Sequence, residues 1–446
     1  MSNVAAARGR PRRPARRGDE KFGKPGRSRY RAELPLVDNS IAPPAKRLGV
    51  WIFGALGGLA TTLVVGTRAM VKGLCPVRGL VTASDAGAGI AWQDLAGIVF
   101  GGHEIRDGDY YSSAQEIHGK TGSMPSELLR PLRRELAAAS RNVVRGTLPN
   151  AGPTIRSLQS GRQRPARPLR AQIEQIRRDI TSFQRRHRLS RVICVNLTST
   201  EPPLRLGKAH TKLADFDAAI DRDDQRAVRP SAIYAYAAAS LGLPFLHFTP
   251  SNSALIPAIQ QLFVQNGAPF MGSDGKSGET LVKSALAPMF AHRQLKVLSW
   301  VGYNILGDRD GRVLNDRDNK SAKVRSKDAL LPSILGYPLH THVGIDYVPS
   351  LHDLKTAWDF VHFEGFLGFR MAMQFIWQGC DAILAAPLVL DLIRLADLAA
   401  RRGEHGPMPQ LACYFKQPFG VREHDLHRQW QLLVDYLDRV RGRRPR

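Results

Sequence analysis

The stretch from Leu48 to Val71 constrains this chain more than any other. An apolar run, "RLGVWIF", ends on Gly54, Gly57 and Gly58, then passes through Thr61 and Thr62 into the helical pattern "LVVGTRAMV". A strand, a glycine turn and a helix in that order open a βαβ unit of the dinucleotide-binding kind. Glycine lets the backbone turn tightly and approach a pyrophosphate, whose charge rests on the amides of the helix N-terminus. The spacing here is G-x-x-G-G rather than G-x-G-x-x-G, so the rest of the chain has to support the reading. The run from Gly49 to Val71 is also nearly long enough to cross a bilayer and has basic residues before it. Its glycines cluster at one point, which favours the turn over a membrane span.

An α/β rhythm follows. "AGIVFGG" reads as a strand ending in glycines, and Pro125 to Ala139 as a helix. "AQIEQIRRDITSFQRRH" sets Ile173, Ile176, Ile180 and Phe183 at helical spacing, as core positions. "RVICVNLTSTEPP" is a buried strand ending in hydroxyl residues, Thr198 among them, and "SAIYAYAAASLGLPFLHFTPSN" is a helix, a glycine stop and a strand ending in Ser251 and Asn252. Strands that end in small polar residues suit a parallel sheet with its ligand beyond their carboxyl ends. Asp85, about thirty residues past the glycine turn, is placed either to hold an adenosine ribose or to cap a loop. Between Leu281 and Cys380 the runs become alternating and aromatic ("LKVLSWVGYNIL", "HTHVGIDYVPSL", "FRMAMQFIWQG"), which predicts a second sheet. "AILAAPLVLDLIRLADLAARRG" then predicts one long helix that packs back on the first domain. There are no internal repeats.

The formal net charge is +25, and 43% of residues are hydrophobic, so the chain is globular and strongly basic. Much of the charge sits in residues 1–47, with ten Arg and three Lys against four acids and no apolar periodicity. This reads as a disordered basic tail, with residues 1–45 dispensable for chemistry. Nucleic acid or an anionic surface is a partner only through that tail. Cys75, Cys194, Cys380 and Cys413 form no C-x-x-C pair, which argues for a reducing, cytoplasmic setting and against a zinc site. His340, His342, His352 and His362 lack supporting ligand spacing, so no metal is expected. No signal-peptide core follows Met1.

Four patterns occur in order: "DGKSGET", "SWVGYNILGDRDG", "YVPSLHDLKTAWD" and "GCDAILAAPLVLDL", with "FGGHEI" and "TSTEP" upstream. Together they resemble the inositol-3-phosphate synthase family, also called myo-inositol-1-phosphate synthases, over about Leu48 to Gly420. The resemblance implies an α/β fold: a Rossmann-type NAD-binding domain at 48–281, an α+β catalytic and tetramerisation domain at 282–381, and a C-terminal helical return at 382–446. It implies a cytoplasmic homotetramer, not integral to a membrane, that uses NAD to cyclise glucose 6-phosphate by internal oxidation, enolisation, aldol closure and reduction. Negative charge develops on oxygen more than once in that sequence, so fixed ammonium groups in a water-poor pocket are what the chemistry asks for. A lysine of lowered pKa can also move protons.

Carried over residue by residue, Lys323 and Lys327 match the family's lysine loop, Lys355 its third lysine and Lys416 its fourth. The resemblance puts Lys323 and Lys416 near the reacting oxygens and Lys327 near the phosphate, with Lys355 suited to either job. Ser277, Gly278 and Thr280 match a phosphate cradle at a helix start. Asp274, Asp310, Asp353 and Asp381 match acids that orient lysines and the nicotinamide ribose. Gly54, Gly57, Gly58, Thr62, Thr198, Asn304, Asp310 and Asp381 are the expected cofactor contacts. On composition alone, Lys323 and Lys327 are solvated charges, and Asp353 to Lys355 a polar stretch before a helix.

The chain also departs from the family. Its glycine turn lacks two asparagines, Glu279 stands where glutamine is usual, and Asp308 stands where an amide is expected. Two other readings stay open at this point: a relative that binds NAD and a sugar phosphate for redox chemistry only or for none, and a basic nucleic-acid-binding protein.

Overall fold

The computed structural model describes residues 42–161, 167–307 and 330–443. The tail up to residue 41, and Asp308, Asp310, Lys323 and Lys327, lie outside the described residues. Seven strands form one sheet: β1 (Leu48–Phe53), β2 (Ile98–Glu104), β3 (Val143–Arg145), β4 (Arg191–Asn196), β5 (Phe245–His247), β6 (Pro269–Gly272) and, far later in the chain, β11 (Gly406–Pro407). Their order is β11-β6-β5-β4-β1-β2-β3. All their pairings are parallel. The chain runs outward from β1 to β3, then crosses back to β4 on the other side of β1. The switch point therefore lies between the carboxyl ends of β1 and β4, where Phe53 pairs with Asn196.

β1 is wholly buried because helices cover both faces of the sheet, as its continuous apolar sequence requires. Val50 and Ile52 pack on one side with Ala60, Leu63 and Val64 of the helix Gly58–Val71 and with Val389, Leu392 and Ile393 of the helix Asp381–Arg401. The long helix thus packs on the first sheet. Trp51 and Phe53 point the other way, onto Ile173, Ile176, Ile180 and Phe183 of the helix Leu169–Arg186. No helix among the described residues is long and apolar enough to cross a membrane. The helix expected over Pro125 to Ala139 is two, Ser126–Leu129 and Arg133–Ser140. A 3-10 turn at Arg130–Leu132 separates them, where Pro131 has no N–H to give to an α-helical ladder.

Between β6 and β11 the chain builds a second sheet from β7 (Lys296–Leu306), β8 (His340–Tyr347), β9 (Leu354–Glu364) and β10 (Arg370–Cys380), in the order β10-β9-β7-β8. β7 runs parallel to β8 and antiparallel to β9, and β9 antiparallel to β10. β9 corrects the reading of Asp353 to Lys355 as a polar stretch before a helix. Its alternation turns Ala357, Asp359 and Val361 inward. The inner face packs Val297, Trp300 and Val361 against Ala287, Phe290, Leu330 and Leu331. On the outer face one cross-strand row joins Ile376, Trp358, Tyr303 and Gly344. A Cβ on Gly344 would lie 2.4 Å from the Tyr303 ring, so the glycine makes room for that ring to lie flat.

Candidate active site

A cleft of about 560 Å³ opens beyond the carboxyl ends of β1, β2, β4, β5 and β6 and is closed on another side by Gly307, Tyr347, Pro349, His352 and Asp353. Gly54, Gly57, Gly58, Thr198, Asp274, Ser277, Asp381 and Lys416 line it together. The first turn of the cleft wall is built as the sequence requires. Gly54 has φ +85°, and a Cβ there would fall 2.9 Å from the Leu197 carbonyl oxygen, so no other residue fits. Glu104 at the end of β2 takes the Leu56 N–H at 2.7 Å and steadies the turn. The helix Gly58–Val71 then begins with no side-chain cap and no acid in its first turn, so its positive end is left to an outside anion. Thr62 is not on the cleft. Its hydroxyl donates 2.8 Å back to the Gly58 carbonyl.

Opposite the turn, a short ladder holds Asp274 and Lys416. The segment after β6 runs antiparallel to Tyr414–Gln417: Ser273 N donates to Gln417 O at 2.7 Å, Lys416 N to Asp274 O at 2.7 Å and Lys276 N to Tyr414 O at 2.9 Å. This register places Lys416 Nζ 2.9 Å from Asp274 Oδ1. Asp274 adopts φ +60°, and its Oδ2 is buried without a partner among the described residues. Lys276 was not singled out from sequence. Its ammonium is buried and donates to Gln429 of the helix Leu426–Val440, and burial pushes its pKa down to about 8.

Ser277 donates to Asp381 Oδ1 at 2.7 Å, joining the start of the helix Asp381–Arg401 to the ladder. Gly278 is the N-cap of the helix Glu279–His292, and a Cβ on it would lie 3.4 Å from Lys355 Nζ. A helix N-terminus, a serine, the buried Thr280 hydroxyl and an ammonium thus meet at one place, a set of groups suited to an anion. Asp353 lines the cleft with its carboxyl pushed up by burial.

Asn304 does not line the cleft but lies behind it. Its amide donates to Glu279 Oε2. Glu279 pairs with Lys283 at 2.6 Å, Lys283 lies 3.5 Å from Asp359, and Asp359 takes the Trp300 N–H at 2.7 Å. A Cβ on Gly302 would overlap Glu279 Oε1 at 2.4 Å, so a glycine in β7 leaves space for the cluster. Burial and the nearby Glu279 carboxylate push Asp359 up to about 6. Asp85 sits in a 3-10 turn, Asp85–Gly87, that contributes nothing to the cleft lining. Among the described residues no group of three His, Cys, Asp or Glu is arranged to hold a metal.

The family model of myo-inositol-1-phosphate synthases, an NAD-binding family, matches residues 88–438. Inositol-3-phosphate synthase 1 of Bacteroides thetaiotaomicron is 33% identical over 435 residues, covering 91% of this chain and 98% of the relative. The chain belongs to the myo-inositol-1-phosphate synthase family. Inositol-3-phosphate synthase of Dictyostelium discoideum is 26% identical, over 80% of this chain and 75% of its own. Two solved structures share the family fold. One is inositol-3-phosphate synthase of Caenorhabditis elegans, with TM-score 0.80, 23% identity and 91% of this chain against 87% of its own. The other is a myo-inositol-1-phosphate synthase-related protein of Thermotoga maritima, with TM-score 0.70, 22% identity and 90% against 100%. The NAD-binding family model spans β2 to β6 and β11 of the parallel sheet.

Proposed function

We propose that the cleft cyclises glucose 6-phosphate to 1D-myo-inositol 3-phosphate with NAD as a cofactor regenerated in each cycle. The observation that carries this reading is the Lys416–Asp274 pair, set on the wall of the same cleft as the glycine turn. The residues fit the cofactor: Gly54 admits a close backbone approach, the uncapped helix at Gly58 offers amides to a pyrophosphate, and Thr198 and Asp381 offer polar groups beside them. When bound, NAD supplies the reversible oxidation at C5 that makes the C6 protons acidic.

The chain's own groups do the rest. Ser277, the Gly278 and Thr280 amides and Lys355 hold the substrate phosphate, and Lys327 is assigned to the same phosphate. Asp274 keeps Lys416 oriented, and the Lys416 ammonium faces oxygen atoms on which negative charge grows during enolisation and aldol closure. Lys323 shares that work. Asp381 fixes the Ser277 hydroxyl. Asp310 is assigned to the cofactor contacts.

The second sheet supports the reading of an assembly. Ile376, Trp358 and Tyr303 form one row on its outer face and are 67%, 36% and 42% exposed. Apolar side chains aligned in this way support a subunit contact, and we assign it to a homotetramer. Four free cysteines suit a reducing compartment such as the cytoplasm.

Incubation of the purified protein with glucose 6-phosphate and NAD tests the reading. The cyclase makes inositol phosphate with no net NADH. A relative limited to redox chemistry accumulates NADH, and a nucleic-acid-binding protein does neither.

A further inference from the structure

A hydrogen-bond chain leads from the cleft into the first sheet beside the switch point. Thr198 lines the cleft just after β4, and its backbone N–H and its hydroxyl both reach Asn196 Oδ1, at 3.3 and 2.9 Å. Asn196 Nδ2 lies 3.0 Å from His247 Nδ1, and His247 Nε2 lies 2.7 Å from the Ser251 carbonyl oxygen. Both ends of this chain have fixed polarity. A backbone N–H can only donate, so Asn196 turns its oxygen to Thr198 and its amide N–H to His247. A carbonyl can only accept, so His247 carries its proton on Nε2 and accepts on Nδ1. Asn196 and His247 are fully buried, which leaves no solvent to reverse the order, and burial pushes His247 down to about 4, so the ring is neutral. The Thr198 hydroxyl proton therefore points inward, and its lone pairs are left for the cleft.

We propose that Asn196 and His247 are positioning residues that make Thr198 a hydrogen-bond acceptor toward the cleft, where it takes a ribose hydroxyl of NAD and not a pyrophosphate oxygen. Pyrophosphate oxygens carry no proton at neutral pH, so they meet the Thr198 lone pairs as like charges. A ribose hydroxyl has a proton to give. The glycine turn lies against this residue, since a Cβ on Gly54 would fall 3.1 Å from Thr198 Cα, so a dinucleotide laid over the turn passes Thr198. The inference rests on the reading of the cleft as an NAD site.

Calorimetric titration of NAD into substrate-free protein tests it, with the parent, Thr198→Ser and Thr198→Val, and with NAD analogues each lacking one ribose hydroxyl. Thr198→Ser is expected within about twofold of the parent and Thr198→Val about tenfold weaker, the loss of one hydrogen bond. One deoxy analogue should lose the same factor on the parent and nothing further on Thr198→Val. In 15N-histidine spectra at pH 7, His247 should be neutral with its proton on Nε2. Thr198→Val binding as tightly as the parent, deoxy losses that stay unchanged on Thr198→Val, or a His247 proton on Nδ1 would each overturn the inference while leaving the cofactor reading intact. A parent that fails to bind NAD would overturn both.

Discussion

Lys416 Nζ and Asp274 Oδ1 lie 2.9 Å apart although 142 residues separate them in the chain. Both are nearly buried, so the pair works where water screens it little. Lys416→Met keeps most of the packing and removes the ammonium. It is expected to lower kcat by about a hundredfold or more, the scale of a lost oxyanion donor. Asp274→Asn keeps an acceptor for Lys416 and should fall less. Steady-state rates with glucose 6-phosphate at saturating NAD decide it, and a Lys416→Met rate within threefold of the parent sinks the assignment.

Lys323 and Lys327, which lie outside the described residues, divide by role in the same assay. Lys323→Ala should lower kcat about a hundredfold with little change in thermal stability, because it acts on charge that grows in the transition state. Lys327→Ala should act chiefly through KM, because a phosphate contact is made before and during the reaction. Equal effects of both on KM alone would remove Lys323 from the chemistry.

The Asp359 carboxyl titrates near 6 in the folded protein against an ordinary value of 3.8. The folded state therefore binds the proton more tightly than the unfolded chain does. The contribution of this group to stability is full below about pH 3.8 and is lost as pH rises through 6. Asp359→Asn keeps an oxygen for Trp300 and leaves Lys283 its Glu279 partner. Chemical denaturation of parent and variant across pH 4 to 7 should show Asp359→Asn gaining on the parent between about 4 and 6. A difference that is flat or of opposite slope rejects this account of the cluster.

Ile376→Lys places a charge on the most exposed member of the outer row. The core is untouched, so helical content and melting of the subunit should hold, while light scattering should show the assembly divided into smaller species. A tetramer that survives Ile376→Lys together with Trp358→Lys would assign the contact to another face.

Much of the first sheet was legible because hydrophobic periodicity is a local property. β1, its glycine turn and the helix Leu169–Arg186 each follow from a dozen or so neighbouring residues. Ser277 and Gly278 at a helix start came instead from the family resemblance, carried by the motif "DGKSGET". β9 escaped because "LKTAWD" mixes charge into its first turns of alternation, and only pairing with β7 and β10 shows which face is inward. Glu279 and Lys283 are spaced i and i+4, a spacing that does not report their burial among Asn304, Trp300 and Asp359. Lys276 meets Gln429 across 153 residues, a contact that no local pattern reports.

The ladder between Ser273–Lys276 and Tyr414–Gln417 also sets an order of birth. Strands β1 to β6 leave the ribosome long before Tyr414 does, and domains commonly begin to fold as they emerge. Until residue 417 arrives, the growing chain carries a glycine turn and most of its parallel sheet but has no lysine to answer Asp274. Acquisition of the Lys416–Asp274 pair waits for the 142 residues that follow Asp274, so cofactor affinity and turnover are expected to appear in that sequence when the chain is released at successive lengths.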